Sequence, residues 1–253
     1  MKAGILLAAL AAIASVLWFS DILSPQAGEI RVSGAMAHQG RGDEVNAVLT
    51  IKNDGAPDEL LSVSSPDAHV AFRGVGSGLP VQTGVSSLSM DAAHIRISPT
   101  TPPEEGALLP LTLTFAQAGE INVKARFMTP DPGSMDAHMA MGHTMMFEPA
   151  KGEPAPIVSL LVTSSGQGWT AHIATQNFIF SEELQDGEHV AGTGHGHIYA
   201  GDLKLGRVFA NTYDIGALPK GSHIIRVSLN TNNHRTYSTN GQPVEATATI
   251  IVD

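Results

Sequence analysis

The chain is predicted to be all-β: two antiparallel β-sandwich domains joined by a Met/His-rich linker. Three observations predict it. Apolar and polar residues alternate with a period of two over many short stretches. Gly, Pro, Asn and Asp punctuate those stretches at close intervals. No window of helical period runs longer than about two turns, which leaves an antiparallel sandwich as the natural architecture.

Residues 1–27 read as a signal peptide or N-terminal anchor. Ile5 to Phe19 is an almost unbroken apolar run behind Met1 and Lys2, shorter than the roughly 20 residues that span a bilayer. It matches the apolar region of a secretory signal. Gln26-Ala27-Gly28 offers a cleavage point, although Pro25 suits it poorly, so an uncleaved anchor stays open as the alternative. Either way the expected location is periplasmic or exported, with membrane contact only through this segment. The chain has no Cys, as befits an oxidising compartment where Met and His remain serviceable ligands.

The first domain is assigned to residues 28–130. In EVNAVLTIKNDG, Val45, Ala47, Leu49 and Ile51 alternate with polar neighbours, and Asn53-Asp54-Gly55 closes the strand. PLTLTF and INVKARF alternate in the same way around AQAGE, which reads as a hairpin. His38, alone in HQGRG, reads as a solvated turn residue.

The linker, residues 131–155, holds MDAHMAMGHTMM. Met135, Met139, Met141, Met145 and Met146 fall within it, together with His138 and His143, although the whole chain has nine Met. Flanking Pro and Gly argue for an exposed connector, where thioethers fill no core. Thioether plus imidazole is a ligand set suited to copper, Cu(I) above all. The plainer alternative is a loop that docks its Met side chains on a neighbouring domain.

The second domain is assigned to residues 156–253. IVSLLVTSSG and TAHIATQNFIF read as a hairpin around Gly166 to Gly168, and His172 on it reads as a packed or edge residue. His195, His197 and Tyr199, spaced by two, share one face of a strand. Gly194 and Gly196 leave room there for a metal or another backbone. His223 is grouped with Ile225, Val227 and Leu229 on one face, and His234 falls in the polar loop Asn230 to His234. The pair His195/His197, with a third nitrogen from His234 in preference to His223, can present imidazoles to Cu(II) or Zn(II). A hydrogen-bonded structural cluster is the alternative.

Several function classes are excluded or disfavoured. The net charge of −10 and the lack of a basic patch speak against nucleic acid. No GxSxG, P-loop, dinucleotide fingerprint or HEXXH is present, and no carboxylate has a motif spacing to GHGH, so no enzyme is expected.

Two resemblances add to this reading. VSGAMA, AVLTIKNDGAPDELLSVSSP, SMDAAHIRI and PLTLTFAQAGEINVKARF, in order from Ile30 to Phe127, resemble the periplasmic copper chaperone family called PCuAC. That resemblance implies a cupredoxin-like sandwich binding Cu(I) through two His and two Met. Carried over, His94 stands where the His of the family's His-x-Met belongs, but Arg96 occupies the Met place. Arg73 falls near the other His, with His69 as an imperfect substitute and Met90 near His94 as a thioether. Guanidiniums do not ligate and repel cations, so the resemblance implies a kept fold, a lost site and no copper bound by residues 28–130 alone. GHGHIY, LPKGSHIIRVSL and NTNNH are similar to a His-rich β-sandwich domain of unsettled function, immunoglobulin-like in architecture. Together these imply an exported copper-binding protein that buffers or transfers copper. The linker would hold Cu(I), and the His195/His197 centre would hold Cu(II) or act as acceptor, with zinc as a further ion. A periplasmic or membrane cuproprotein would receive the metal. The rival reading is a non-catalytic envelope module that binds another protein, with structural histidines.

Overall fold

The computed structural model describes residues 30–73, 78–129 and 146–253, and every element among them is a strand. The signal or anchor segment and Met135, His138, Met139, Met141, His143 and Met145 lie outside the described residues.

The first half comprises β1 (Ile30–Gln39), β2 (Val45–Asn53), β3 (Asp58–Ser64), β4 (Ala68–Arg73), β5 (Leu79–Val81), β6 (Gly84–Leu88), β7 (His94–Pro99), β8 (Leu108–Phe115) and β9 (Gly119–Met128). β3, β8, β9, β1 and β2 are joined edge to edge. β1 and β9 run parallel and the other pairs antiparallel. β2 then pairs with β6 along one part and with β7 along another, and β7 carries β4. The alternation read from the sequence fills the core: Val45, Ala47, Leu49 and Ile51 of β2 are buried with Ile95, Ile97, Leu111, Leu113 and Phe115. The AQAGE turn joins β8 to β9 as predicted.

The second half comprises β10 (Met146–Phe147), β11 (Ile157–Ser165), β12 (Gly168–Gln176), β13 (Ile179–Phe180), β14 (Thr193–Ala200), β15 (Leu203–Val208), β16 (Thr212–Ile215), β17 (Gly221–Asn230), β18 (Thr236–Thr239), β19 (Gln242–Pro243) and β20 (Glu245–Val252). β11, β12 and β16 form one antiparallel sheet. β15, β14, β17 and β20 pair antiparallel in that order. Ala171 and Ile173 from β12 meet Ile198 and Ala200 from β14 and Ile225 and Val227 from β17 in a second apolar core. Met146 and Phe147, read from the sequence as connector, instead pair in parallel with Thr236 and Tyr237 of β18. Phe147 adds an apolar face there, which a solvated linker would not need.

The two halves touch along one seam. Lys204 of β15 pairs with Ser87 of β6, and Leu203 beside it is buried in the first core. The amide of Thr83 donates to the carbonyl of Ala217 at 2.9 Å, and the amide of Gly216 donates to Gln82 Oε1 at 2.9 Å. Gly216 is required for this approach, because a Cβ there would run into the Thr83 carbonyl.

Candidate metal centre

β14 is buried on both faces, which explains why the GHGHIY strand carries two kinds of side chain. Ile198 and Ala200 enter the second core. His195, His197 and Tyr199 point the other way, toward the seam, as the period of two predicts. Their register partners on β17 are Asn230, Ser228 and Arg226, and on β15 His197 stands opposite Arg207 and Tyr199 opposite Lys204. Cross-strand partners share a face, so the pairing assembles a polar patch under the first half. Gly194 lets β14 reach β17, because a Cβ would meet the Asn230 carbonyl. Of the two uses the sequence left open for this glycine, the structure shows close approach of another backbone.

The two β14 imidazoles face each other, with His195 Nε2 and His197 Nε2 3.0 Å apart. His234 completes a group of three whose ligand atoms lie within 4.8 Å of one another. Its ring centroid is 4.9 Å from that of His195. The loop delivers it through a tight turn: the Thr231 amide donates to the Arg235 carbonyl at 2.8 Å and the His234 amide to the Thr231 carbonyl at 3.0 Å. His234 sits at φ 64, a left-handed conformation costing a non-glycine residue about 1–2 kcal/mol. Asn232, fully buried, fixes the loop from beneath, donating to Thr193 Oγ1 at 3.0 Å. The polar loop read from the sequence is therefore largely buried and packed. His234 Nε2 also contacts Asp186.

Asp91 governs the far side of His197. It comes from the first half, on the turn between β6 and β7, where the Ala92 amide donates to the Ser89 carbonyl at 2.9 Å. Its Oδ2 lies 2.7 Å from His197 Nδ1 and 2.7 Å from Lys204 Nζ, and it accepts from the Tyr199 hydroxyl at 2.9 Å. Ser89 Oγ donates to its Oδ1 at 2.6 Å. Burial alone would raise this carboxyl, but the hydrogen bond from His197 and the charge of Lys204 hold it well below the usual carboxylate range. An ionised oxygen at 2.7 Å demands a donor, so His197 carries its proton on Nδ1 and presents an unprotonated Nε2 to His195. Lys204 Nζ at 3.1 Å and Asn230 Nδ2 at 3.2 Å flank His197 Nδ1.

Both imidazoles are held neutral. Burial pushes His195 down to about 2 and His197 down to about 4, the latter against the pull of Asp91. Neutral rings leave one polar atom unpaired. If His195 Nε2 donates to His197 Nε2, the lone pair on His195 Nδ1 is buried with no partner among the described residues. If the proton sits on His195 Nδ1, two lone pairs face each other at 3.0 Å. A cation shared by the two Nε2 atoms removes the facing lone pairs and leaves only the His195 Nδ1–H without a partner among the described residues, whereas a proton is disfavoured by burial.

The other sequence candidates lie elsewhere. His223 is buried at the opposite end of β17 from Asn230, with Nε2 donating to the Pro219 carbonyl at 2.7 Å, and the structure does not bring it to the three. His172 is an exposed residue on β12, 3.1 Å from Thr163 Oγ1. In the first half, His94 stands opposite Arg73 in the β4–β7 register, and Arg96 opposite Ala71. Arg96 Nη1 pairs with Glu44 at 3.5 Å. His69 pairs instead with Ser98, four residues and roughly 13 Å along the strand from His94, so it cannot stand in beside it. His38 is not a turn residue: it lies on β1, half-buried. Asp91, Lys204 and Asn230 were missed as site residues, since none has a ligand motif and the contacts of Asp91 cross from one half to the other.

No family model matches the chain, and no curated protein matches it. Among solved structures, the chain is similar to the apo PCuAC domain of PmoF1 at 20% identity, covering 42% of this chain and 98% of that one with a TM-score of 0.38. It is similar to the copper-bound PCuAC domain from PmoF2 at 19% identity, covering 41% and 96% with a TM-score of 0.36. The Pseudomonas aeruginosa CupB2 chaperone covers 88% of this chain and all of its own at 10% identity and a TM-score of 0.25. At these scores none of the likenesses assigns a ligand or an activity to this chain.

Proposed function

We propose that this is an exported copper-binding protein, not an enzyme, and that His195, His197 and His234 hold the ion it buffers or passes on. The observation that carries the reading is the buried His195–His197 contact at 3.0 Å, with Asp91 on the far nitrogen of His197. A ligating imidazole commonly gives its second N–H to a carboxylate, which fixes the tautomer and ring orientation and raises ligand basicity. Imidazole suits copper, and among divalent ions copper outranks zinc at such sites. Lys204 and Arg207 stand beside the cluster, so an ion of lower charge suffers less repulsion, which favours Cu(I) over a divalent ion. The thioethers of residues 135–146 are then a soft store on the same chain.

Metal titration of the full chain with Cu(I), Cu(II) and Zn(II) tests the reading, alongside the His195→Ala/His197→Ala double variant. The reading expects the double variant to lose one tight copper equivalent. Equal copper stoichiometry and affinity in parent and double variant would leave the rival: an envelope interaction module whose His197–Asp91–Lys204 and His234–Asp186 pairs are purely structural.

A further inference from the structure

A groove of 440 Å³ opens on the other side of the Asp91 turn. Its floor is the outward face of β1, β2 and β6, and its wall is Met90, Asp91, Lys204 and Arg207. Met36 and His38 sit two apart on β1. Their register partners on the neighbouring strands are Val48 and Asn46 of β2 and Arg126 and Met128 of β9, and Ala37 between them is buried in the core. Both side chains therefore leave the sheet on the groove side, and Met90 lines the same groove.

We infer that Met36, His38 and Met90 form a second metal site, one that takes a soft monovalent cation of the Cu(I) type. Three observations converge. The donor set is two thioethers and an imidazole, which soft d10 ions prefer and hard divalent ions do not. His38, which lines the groove, has a buried Nδ1 with no hydrogen-bond partner among the described residues, so one of its nitrogens is uncommitted. Met36 is 41% exposed, although a thioether gains nothing from water. The two cations of the lining are already engaged, Lys204 with Asp91 at 2.7 Å and Arg207 with Asp186 at 3.7 Å. What remains is a lining with little net charge to draw a cation in, where stripping water from a divalent ion costs more than from a monovalent one.

This site goes beyond the three-histidine reading and stands or falls separately. It also replaces the expectation of a copper-free first half, which rested on Arg73 and Arg96. Arg96 is not among the residues that line the groove, and it pairs with Glu44. Because Asp91 is both a wall of the groove and the partner of His197, an ion here rests beside the three histidines without sharing a ligand with them.

The experiment uses the full chain with Met135, Met139, Met141, Met145 and Met146 changed to Leu, labelled with ¹³C at its remaining Met methyls. Ag(I), a redox-inert probe of Cu(I) sites, is added to two equivalents, enough to fill the three-histidine centre as well. The Met36 and Met90 methyl resonances should shift, and should shift equally when His195→Ala/His197→Ala is added. Met36→Leu/Met90→Leu, a volume-conserving change that keeps the fold, should weaken Ag(I) binding in that double-Ala background by about tenfold or more, at least the loss that an outer-shell partner produces. Unmoved Met36 and Met90 resonances would overturn the proposal, as would shifts that vanish with the double-Ala change.

Discussion

Asp91 Oδ2 and His197 Nδ1 lie 2.7 Å apart, and this one contact joins the two halves of the chain to the orientation of a candidate ligand. The carboxylate fixes the proton on Nδ1 and so leaves Nε2 free. Asp91→Asn should therefore weaken copper binding roughly 10- to 100-fold, the usual loss on removing such a partner. Asp91→Glu should recover part of it. Competition titration with a chromogenic chelator reads both, and unchanged affinity in the Asn variant would show that His197 needs no carboxylate.

Acid should destabilise the metal-free protein through its two buried imidazoles. Their folded-state values, about 2 and about 4, lie below the ordinary 6.5. Below pH 6.5 the unfolded chain binds a proton at each while the folded chain does not, so stability falls as pH falls from there to about 4. Above pH 6.5 the pair contributes no pH dependence. Each group accounts for about 1.4 kcal/mol per pH unit at most, the pair for about 2.7. Chemical denaturation at pH 7, 6 and 5 should show a shallower slope in His195→Ala/His197→Ala than in the parent. Equal slopes would mean that these rings charge freely in the folded state.

The linker should act as a separate, softer store. Replacing Met135, Met139, Met141, Met145 and Met146 by Leu should keep the fold and lower total Cu(I) uptake, with Cu(II) binding little changed. Equal Cu(I) uptake in the two proteins would remove the linker from the account.

His223 should matter for stability alone. Its hydrogen bond to the Pro219 carbonyl and its burial predict that His223→Ala costs roughly 1–3 kcal/mol. Copper affinity should be unchanged, and a loss of it at constant stability would place His223 in the centre after all.

Much of this was legible in the sequence because it depends on period and local turns. Alternation at Val45 to Ile51 and at Leu111 to Phe115 marked strands that the core confirms. Spacing by two placed His195, His197 and Tyr199 on one face of β14. A polar loop identified His234 as a better third member than His223, and the structure brings His234, not His223, to the pair. Partners across the seam were not legible. Asp91 carries no ligand spacing to GHGH, and the contacts of β15 and its preceding turn with β6 and the turn after it bring Asp91 over β14. His38 was misread because Gly40 and Gly42 follow it, although β1 runs on to Gln39. The strand role of Met146 and Phe147 was hidden because their pairing with β18 depends on distant residues.

The most direct test of the central claim is ¹⁵N NMR of the imidazoles as Cu(I) is added to two equivalents in the linker Leu variant. The account predicts that the Nε2 resonances of His195 and His197 move to metal-bound values while His197 Nδ1 keeps its proton against Asp91. Unchanged His195 and His197 resonances at full loading, or loss of the Nδ1 proton, would contradict it.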